Sequence, residues 1–274
     1  MTANDTHAPS GYFRSGLPYT RFGHGPRPLI VFQGLTFEHK PQPKLAAGMY
    51  NFLGDDYTVY VVLRKPGLPR GYTLRDMADD YATMIREEFD GPPGSSGPVD
   101  VLGISTGGSI VQHFAADHPD LVRRLVIHSA AHTLNDEAKQ LQLQVGHLAQ
   151  QRRWWQAYRL LVGTIDPRSG VLHVLAQPLI WLAASLMALG APKDPTDLVV
   201  TVEAEDHHNF KDRLGEITAP TLIVAGDQDR FYAPALFRET AEGIPNAKLC
   251  LYEGMGHPAR GKQFRQDVLT FLRA

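Results

Sequence analysis

The 274 residues carry 27 Lys and Arg against 29 Asp and Glu, a formal charge of −2. So even a balance supplies no basic field for gripping nucleic acid, and it points to small, uncharged partners. With 43% hydrophobic residues the chain can bury one large core plus an insertion, and its single cysteine, Cys250, excludes a disulfide framework within the chain.

The opening MTANDTHAPSG is polar and turn-prone, with no basic start before an apolar stretch. It predicts a frayed end, no secretory signal and a cytoplasmic setting. Short apolar runs then alternate with helical patterns. PLIVFQ (28–33), YTVYVVL (57–63), VDVLGI (99–104), RLVIH (124–128), TLIVA (221–225) and KLCLYE (248–253) read as strands covered on both faces, hence as one mostly parallel sheet. Cys250 falls in the last of them, as a buried thiol. Helices are expected at 73–89, 107–117, 234–242 and 261–273. The first opens with TLRD, where Thr73 caps and Asp76 reaches back. This alternation predicts an α/β fold with a doubly wound sheet. DGPPGSSGP (90–98) reads as a long surface loop.

Residues 133–210 show no convincing strand and read as an inserted helical cap, which divides the core into 1–132 and 211–274. Within it, QRRWWQAYR (151–159) suits an amphipathic helix with solvated arginines. VLHVLAQPLIWLAASLMALG (171–190) has the length of a membrane span, but His173, Gln177 and Pro178 interrupt it. Two short helices and no stable membrane insertion are expected, Pro178 opening the second. Leu179, Leu182 and Leu186 follow helical spacing there and are expected to line an apolar pocket.

The chemistry begins in VDVLGISTGGSI (99–110). A serine on a turn from strand to helix needs small neighbours, because the two backbones pass close together beside it. Gly103 and Gly107 frame Ser105 as G-x-S-x-G, and Gly108 eases entry into the helix. No Lys follows as a phosphate loop requires. A serine hydroxyl needs a base and an orienter, in the chain order Ser, acid, His. His257 alone lies in a glycine-rich loop after the last strand, EGMGHPAR. His7, His24, His118, His147 and His207 read as surface or capping residues. For the acid, TLIVAGDQDRFYAP offers Asp227 and Asp229, whereas HSAAH after the strand at 124–128 has no carboxylate. The pair at 207–208, HH, lacks further ligands at zinc-like spacing, and no metal is expected.

From RPLIVFQGL through GISTGG and APTLIVAGDQDRFYAP to YEGMGHPAR, the chain resembles the α/β-hydrolase superfamily over nearly its whole length. The resemblance implies that the acid is Asp229, the aspartate ending a G-x-x-D loop. It also implies an oxyanion hole in FQGL, where Gln33 stands in place of the usual His. Backbone N–H groups of Leu35 and Thr106 would be its donors, with Gln33 and Gly34 beside the substrate. A serine rather than an aspartate at the apex sets the chain apart from dehalogenases and epoxide hydrolases. The expectation is therefore a serine esterase for small to medium apolar carboxylic esters, with no cofactor. Lactonase, thioesterase, C–C bond hydrolase and perhydrolase chemistry use the same three residues. A non-catalytic receptor for a hydrophobic ligand is the alternative outside enzymes, disfavoured because all three positions are intact.

Overall fold

Among the residues described by the computed structural model (9–42, 48–89, 97–165 and 170–274), eight strands form one sheet in the order β1-β2-β4-β3-β5-β6-β7-β8. They are β1 (Ser10–Tyr12), β2 (Pro18–Phe22), β3 (Arg27–Phe32), β4 (Tyr57–Val62), β5 (Val99–Ile104), β6 (Val122–His128), β7 (Thr221–Gly226) and β8 (Ala247–Tyr252). From β4 to β8 across the sheet every pairing is parallel, while β1 and β2 add an antiparallel edge. Each run expected as a strand is one. β1 and β2 were not anticipated: PYTRF alternates buried and open positions and has no continuous apolar run.

Alternation along the strands builds two cores, one on each face. Ile30, Phe32, Val101 and Ile127 point to one side, with helices α1 (Leu74–Phe89) and α2 (Thr106–Asp117). Leu29, Val31, Leu102 and Val126 point to the other, against Phe264 and Val268 of the C-terminal helix. All six residues of β5 and of β7 are buried, as central strands require. β8 is an edge strand, and this corrects one expectation: Cys250 is only half-buried there, because no further strand covers it. The capping box forms as read, with Thr73 N–H on Asp76 Oδ2 at 2.8 Å and Asp76 N–H on Thr73 Oγ1 at 3.1 Å.

Between β6 and β7 lie α3 (Asp136–Gln150), α4 (Trp154–Ile165), α5 (Gly170–Leu189) and α6 (Thr196–Asp206). They share a cluster containing Val145, Tyr158, Ala184 and Val202, into which Phe37, from the segment after β3, inserts, stacked on Tyr158 at 4.1 Å. α5 differs from its sequence reading in two ways. It is one continuous helix with Pro178 inside it. Its leucines also face outward: Leu179, Leu182 and Leu186 are 60%, 50% and 61% exposed, while Ala176, Ile180 and Ala184 turn inward. Helical spacing puts the leucines on one face without saying which face packs, and the narrow alanine side allows close approach to neighbouring helices. No described helix is long and apolar enough to cross a membrane.

After α6, α7 (Pro234–Gly243) makes the crossover from β7 to β8, and α8 (Lys262–Arg273) follows the last strand. His24, His147 and His207 are exposed, and His118 pairs with Asp79 at 2.8 Å. His7, the N-terminal eight residues and positions 90–96 of the expected surface loop lie outside the described residues.

Candidate active site

Ser105 sits between β5 and α2 with φ 52° and ψ −126°, a backbone conformation that non-glycine residues rarely adopt. Its neighbours show why glycine is needed there. A Cβ on Gly103 would lie 2.4 Å from the Gly107 carbonyl oxygen, and one on Gly107 would lie 2.0 Å from that of Phe32. On Gly108 it would meet the Ala130 Cβ at 2.4 Å. Strand, turn and helix are packed backbone to backbone, and the serine is left at the apex.

His257 reaches this apex from the loop after β8. Its Nε2 is 2.9 Å from Ser105 Oγ and its Nδ1 is 2.7 Å from Asp229 Oδ2. With Nδ1–H donating to the carboxylate, Nε2 is left to accept the serine proton. Asp229 Oδ1 accepts the Phe231 and Tyr232 N–H groups at 2.8 and 3.2 Å, which fixes the carboxylate. His257 and Asp229 are each 7% exposed. Asp227 has a different partner: its Oδ1 accepts Gly254 N–H at 2.7 Å and ties down the loop that carries His257. The residues after His257 are also held, since Ala259 O faces His128 Nε2 at 2.7 Å and Ala259 N–H donates to Ser129 Oγ at 2.9 Å.

The loop at Gln33, Gly34 and Leu35 runs against the serine. A Cβ on Gly34 would lie 3.2 Å from Ser105 Cβ. Arg64, fully buried just beyond β4, grips this loop. Its Nη1 donates to Gln33 O at 3.0 Å and to Gly34 O at 3.1 Å, and its Nη2 donates to Gly34 O at 3.1 Å and Thr36 Oγ1 at 3.2 Å. A trans peptide points its C=O and N–H in opposite directions. Holding Gly34 C=O therefore turns the Leu35 N–H away from Arg64. Thr106, the first residue of α2, has an N–H without an acceptor inside its helix. Arg64 Nε donates to His39 Nε2 at 3.2 Å, and burial followed by the Arg64 charge holds His39 at about 3, so its imidazole is neutral.

Ser105, His257, Asp229, Gly34 and the Leu35 loop are thus brought together, whereas Leu179, Leu182 and Leu186 stand on the outer face of α5. Sequence reasoning missed Arg64. Its one signal is a charged residue directly following an apolar strand run. A cavity of about 670 Å³ lined by Tyr72, Leu74, His113, Val200 and His208 includes none of the residues around Ser105. Among the described residues, no three His, Cys, Asp or Glu side chains are grouped to hold a metal ion.

Comparison with known proteins matches residues 63–259 to the family model for the alpha/beta hydrolase fold. The chain belongs to this family and is a hydrolase. Among curated relatives, RutD of Yersinia enterocolitica, provisionally named a carbamate hydrolase, is 26% identical over 249 residues, 84% of this chain and 81% of its own. A 2-hydroxy-6-oxononadienedioate/2-hydroxy-6-oxononatrienedioate hydrolase of a Pseudomonas species is 24% identical over 91% of this chain and 89% of its own. Among solved structures, MGS-M2, an alpha/beta hydrolase from a deep-sea metagenome library, superposes with a TM-score of 0.75 at 17% identity, over 94% of this chain and 95% of its own. The enol-lactonase from Burkholderia xenovorans LB400 gives 0.73 at 18% identity, over 97% of this chain and 100% of its own.

Proposed function

We propose that the protein is a serine hydrolase that cleaves small to medium apolar carboxylic esters through an acyl-enzyme. The observation that carries this reading is the continuous line from Asp229 through His257 to Ser105, at 2.7 and 2.9 Å, with the serine on a strained turn. Ser105 Oγ attacks the ester carbonyl while His257 Nε2 takes its proton. The C–O bond to the leaving alcohol then breaks as His257 returns that proton to the alcohol oxygen. Water, deprotonated by the same nitrogen, attacks the acyl carbonyl, and the bond to Ser105 Oγ breaks as His257 returns the proton to that oxygen, releasing the acid. Asp229 keeps the imidazole in the required tautomer and stabilises its charged form. The oxyanion is met by the N–H groups of Leu35 and Thr106, and Arg64 presets the first of these.

The helices at 133–210 act as a cap over the core segments 1–132 and 211–274. Apolar acyl groups are favoured because Leu35, beside the nucleophile, packs on the insert's apolar cluster around Phe37 and Val145. Gln33 and Gly34 border the bound carbonyl. No metal or organic cofactor takes part in these steps. The test is a panel of 4-nitrophenyl esters, aryl lactones, acyl thioesters and carbamates, run beside fluorophosphonate labelling. Labelling at Ser105 with highest kcat/KM on esters supports the assignment. Highest kcat/KM on another class with Ser105 labelled keeps the nucleophile and changes the substrate.

A further inference from the structure

A carboxyl group that none of these steps uses lies behind the nucleophile. Glu205, in the last turn of α6, is completely buried. Its Oε2 accepts the Thr106 hydroxyl at 2.7 Å. Its Oε1 faces Ser109 Oγ at 3.2 Å and the Tyr232 hydroxyl at 3.4 Å. Burial pushes its pKa up, and the Thr106 and Ser109 hydroxyls and the buried charge of Arg64 act against that push. The short Thr106 contact is the firm one, as the others exceed the usual O–H···O range.

Two features set this group apart from ordinary packing of the insert. Taking a carboxyl out of water costs several kcal/mol unless its oxygens are satisfied, and an apolar side chain would fill the space without that cost. The far end of α6 is also anchored independently: Asp197 accepts the Gly67 and Leu68 N–H groups at 2.9 and 2.7 Å, and Leu198 and Val202 are buried in the insert's core. The bond from Glu205 goes instead to the residue after Ser105. Tyr232, the third neighbour of the carboxyl, donates its own N–H to Asp229.

We propose that Glu205 is a positioning residue for the nucleophile elbow, holding the Thr106 side chain so that the Thr106 N–H keeps its aim at the substrate oxyanion. This rests on the serine-hydrolase reading. A threonine hydroxyl in the first turn of a helix ordinarily bonds to nearby backbone. Committed to Glu205, it makes the alignment of an oxyanion donor depend on α6 being docked. The insert and the catalytic turn are thereby joined through one hydrogen bond.

The test uses the full chain with 4-nitrophenyl butyrate as substrate, a fluorophosphonate as probe of Ser105, and thermal melts. Glu205→Ala and Thr106→Val should each lower kcat by ~10-fold, part of the loss expected for a whole oxyanion donor, with KM within about twofold of wild type. The double variant should be no slower than the worse single one, because both remove the same link. Glu205→Gln, whose amide oxygen can still accept the Thr106 hydroxyl, should recover kcat to within ~3-fold of wild type. Multiplicative losses in the double variant, or a raised KM with unchanged kcat, would mean that Glu205 only packs the insert. If Glu205→Ala fails to fold, Thr106→Val decides alone: wild-type kcat in that variant overturns the proposal. Wild-type enzyme that is not labelled at Ser105 defeats the hydrolase reading and this one together, whereas labelled enzyme with an unaffected Thr106→Val defeats only this one.

Discussion

Arg64 donates from both Nη1 and Nη2 to the Gly34 carbonyl oxygen, at 3.1 Å each. That fork fixes the plane of the peptide whose opposite edge carries the Leu35 N–H, the group that the proposed mechanism uses as an oxyanion donor. Arg64→Met keeps the aliphatic stem and removes the fork. It should lower kcat by ~10²–10³, the loss seen when an oxyanion donor is removed, with a smaller change in KM. Arg64→Lys, a point charge without a planar fork, should fall between the two. Steady-state kinetics on the preferred ester decide this, and full activity in Arg64→Met would remove the role assigned to the guanidinium.

For the nucleophile, Ser105→Ala should keep the wild-type melting temperature, since alanine carries the same Cβ at that backbone conformation, while turnover falls by ~10⁶. Fluorophosphonate labelling should vanish with it. Residual labelling would place the nucleophile elsewhere.

The two aspartates of the loop after β7 should separate cleanly. Asp229→Asn presents an amide to His257 Nδ1 and favours the wrong tautomer, at a cost of ~10⁴ in kcat. Asp227→Asn retains an oxygen that can accept Gly254 N–H, so its kcat should stay within ~10-fold of wild type. Comparable losses in the two variants would contradict the geometry.

The outward face of α5 should tolerate change. Leu182→Ala and Leu186→Ala should shift stability by no more than about 0.5 kcal/mol and leave the acyl-chain preference unaltered. Ala184→Leu, on the fully buried face, should cost about 1–3 kcal/mol through overpacking. A changed chain-length profile in either leucine variant would return that face to the pocket.

Stability should fall on mild acidification. Burial holds His39, His128 and His208 at about 3 in the folded protein, against about 6.5 for a free imidazole. The unfolded chain therefore binds protons that the folded chain refuses. Full stability is present above pH 6.5 and declines as pH drops toward 3, by up to about 1.4 kcal/mol per pH unit for each group. Burial also holds His113 at about 4, so urea unfolding at several pH values between 7.5 and 4.5 should show uptake of about four protons. Uptake of less than one would mean that these imidazoles are not buried neutral.

What the sequence determined by itself was whatever depends on near neighbours along the chain. Continuous apolar runs announce central strands, because a strand buried on both faces has no polar side to show. The glycines around Ser105 announce the turn, because the backbones of one strand–turn–helix collide there without them. His257 stood out for the same local reason. The choice of Asp229 over Asp227 came from family resemblance; geometry separates them because two residues along a loop point a carboxylate at His257 or at Gly254 N–H. Arg64 and Glu205 carried almost no signal, since their partners lie 30 and 99 positions away at Gly34 and Thr106. The leucine face of α5 was misjudged for a related reason: periodicity fixes which side chains share a face, but only the packing of neighbouring helices decides which face meets water. β1 and β2 escaped notice because short strands at the margin of the sheet alternate buried and open positions and show no continuous apolar run. Tertiary structure decided these matters because each depends on which distant segment arrives alongside, a question of packing that no window of sequence contains.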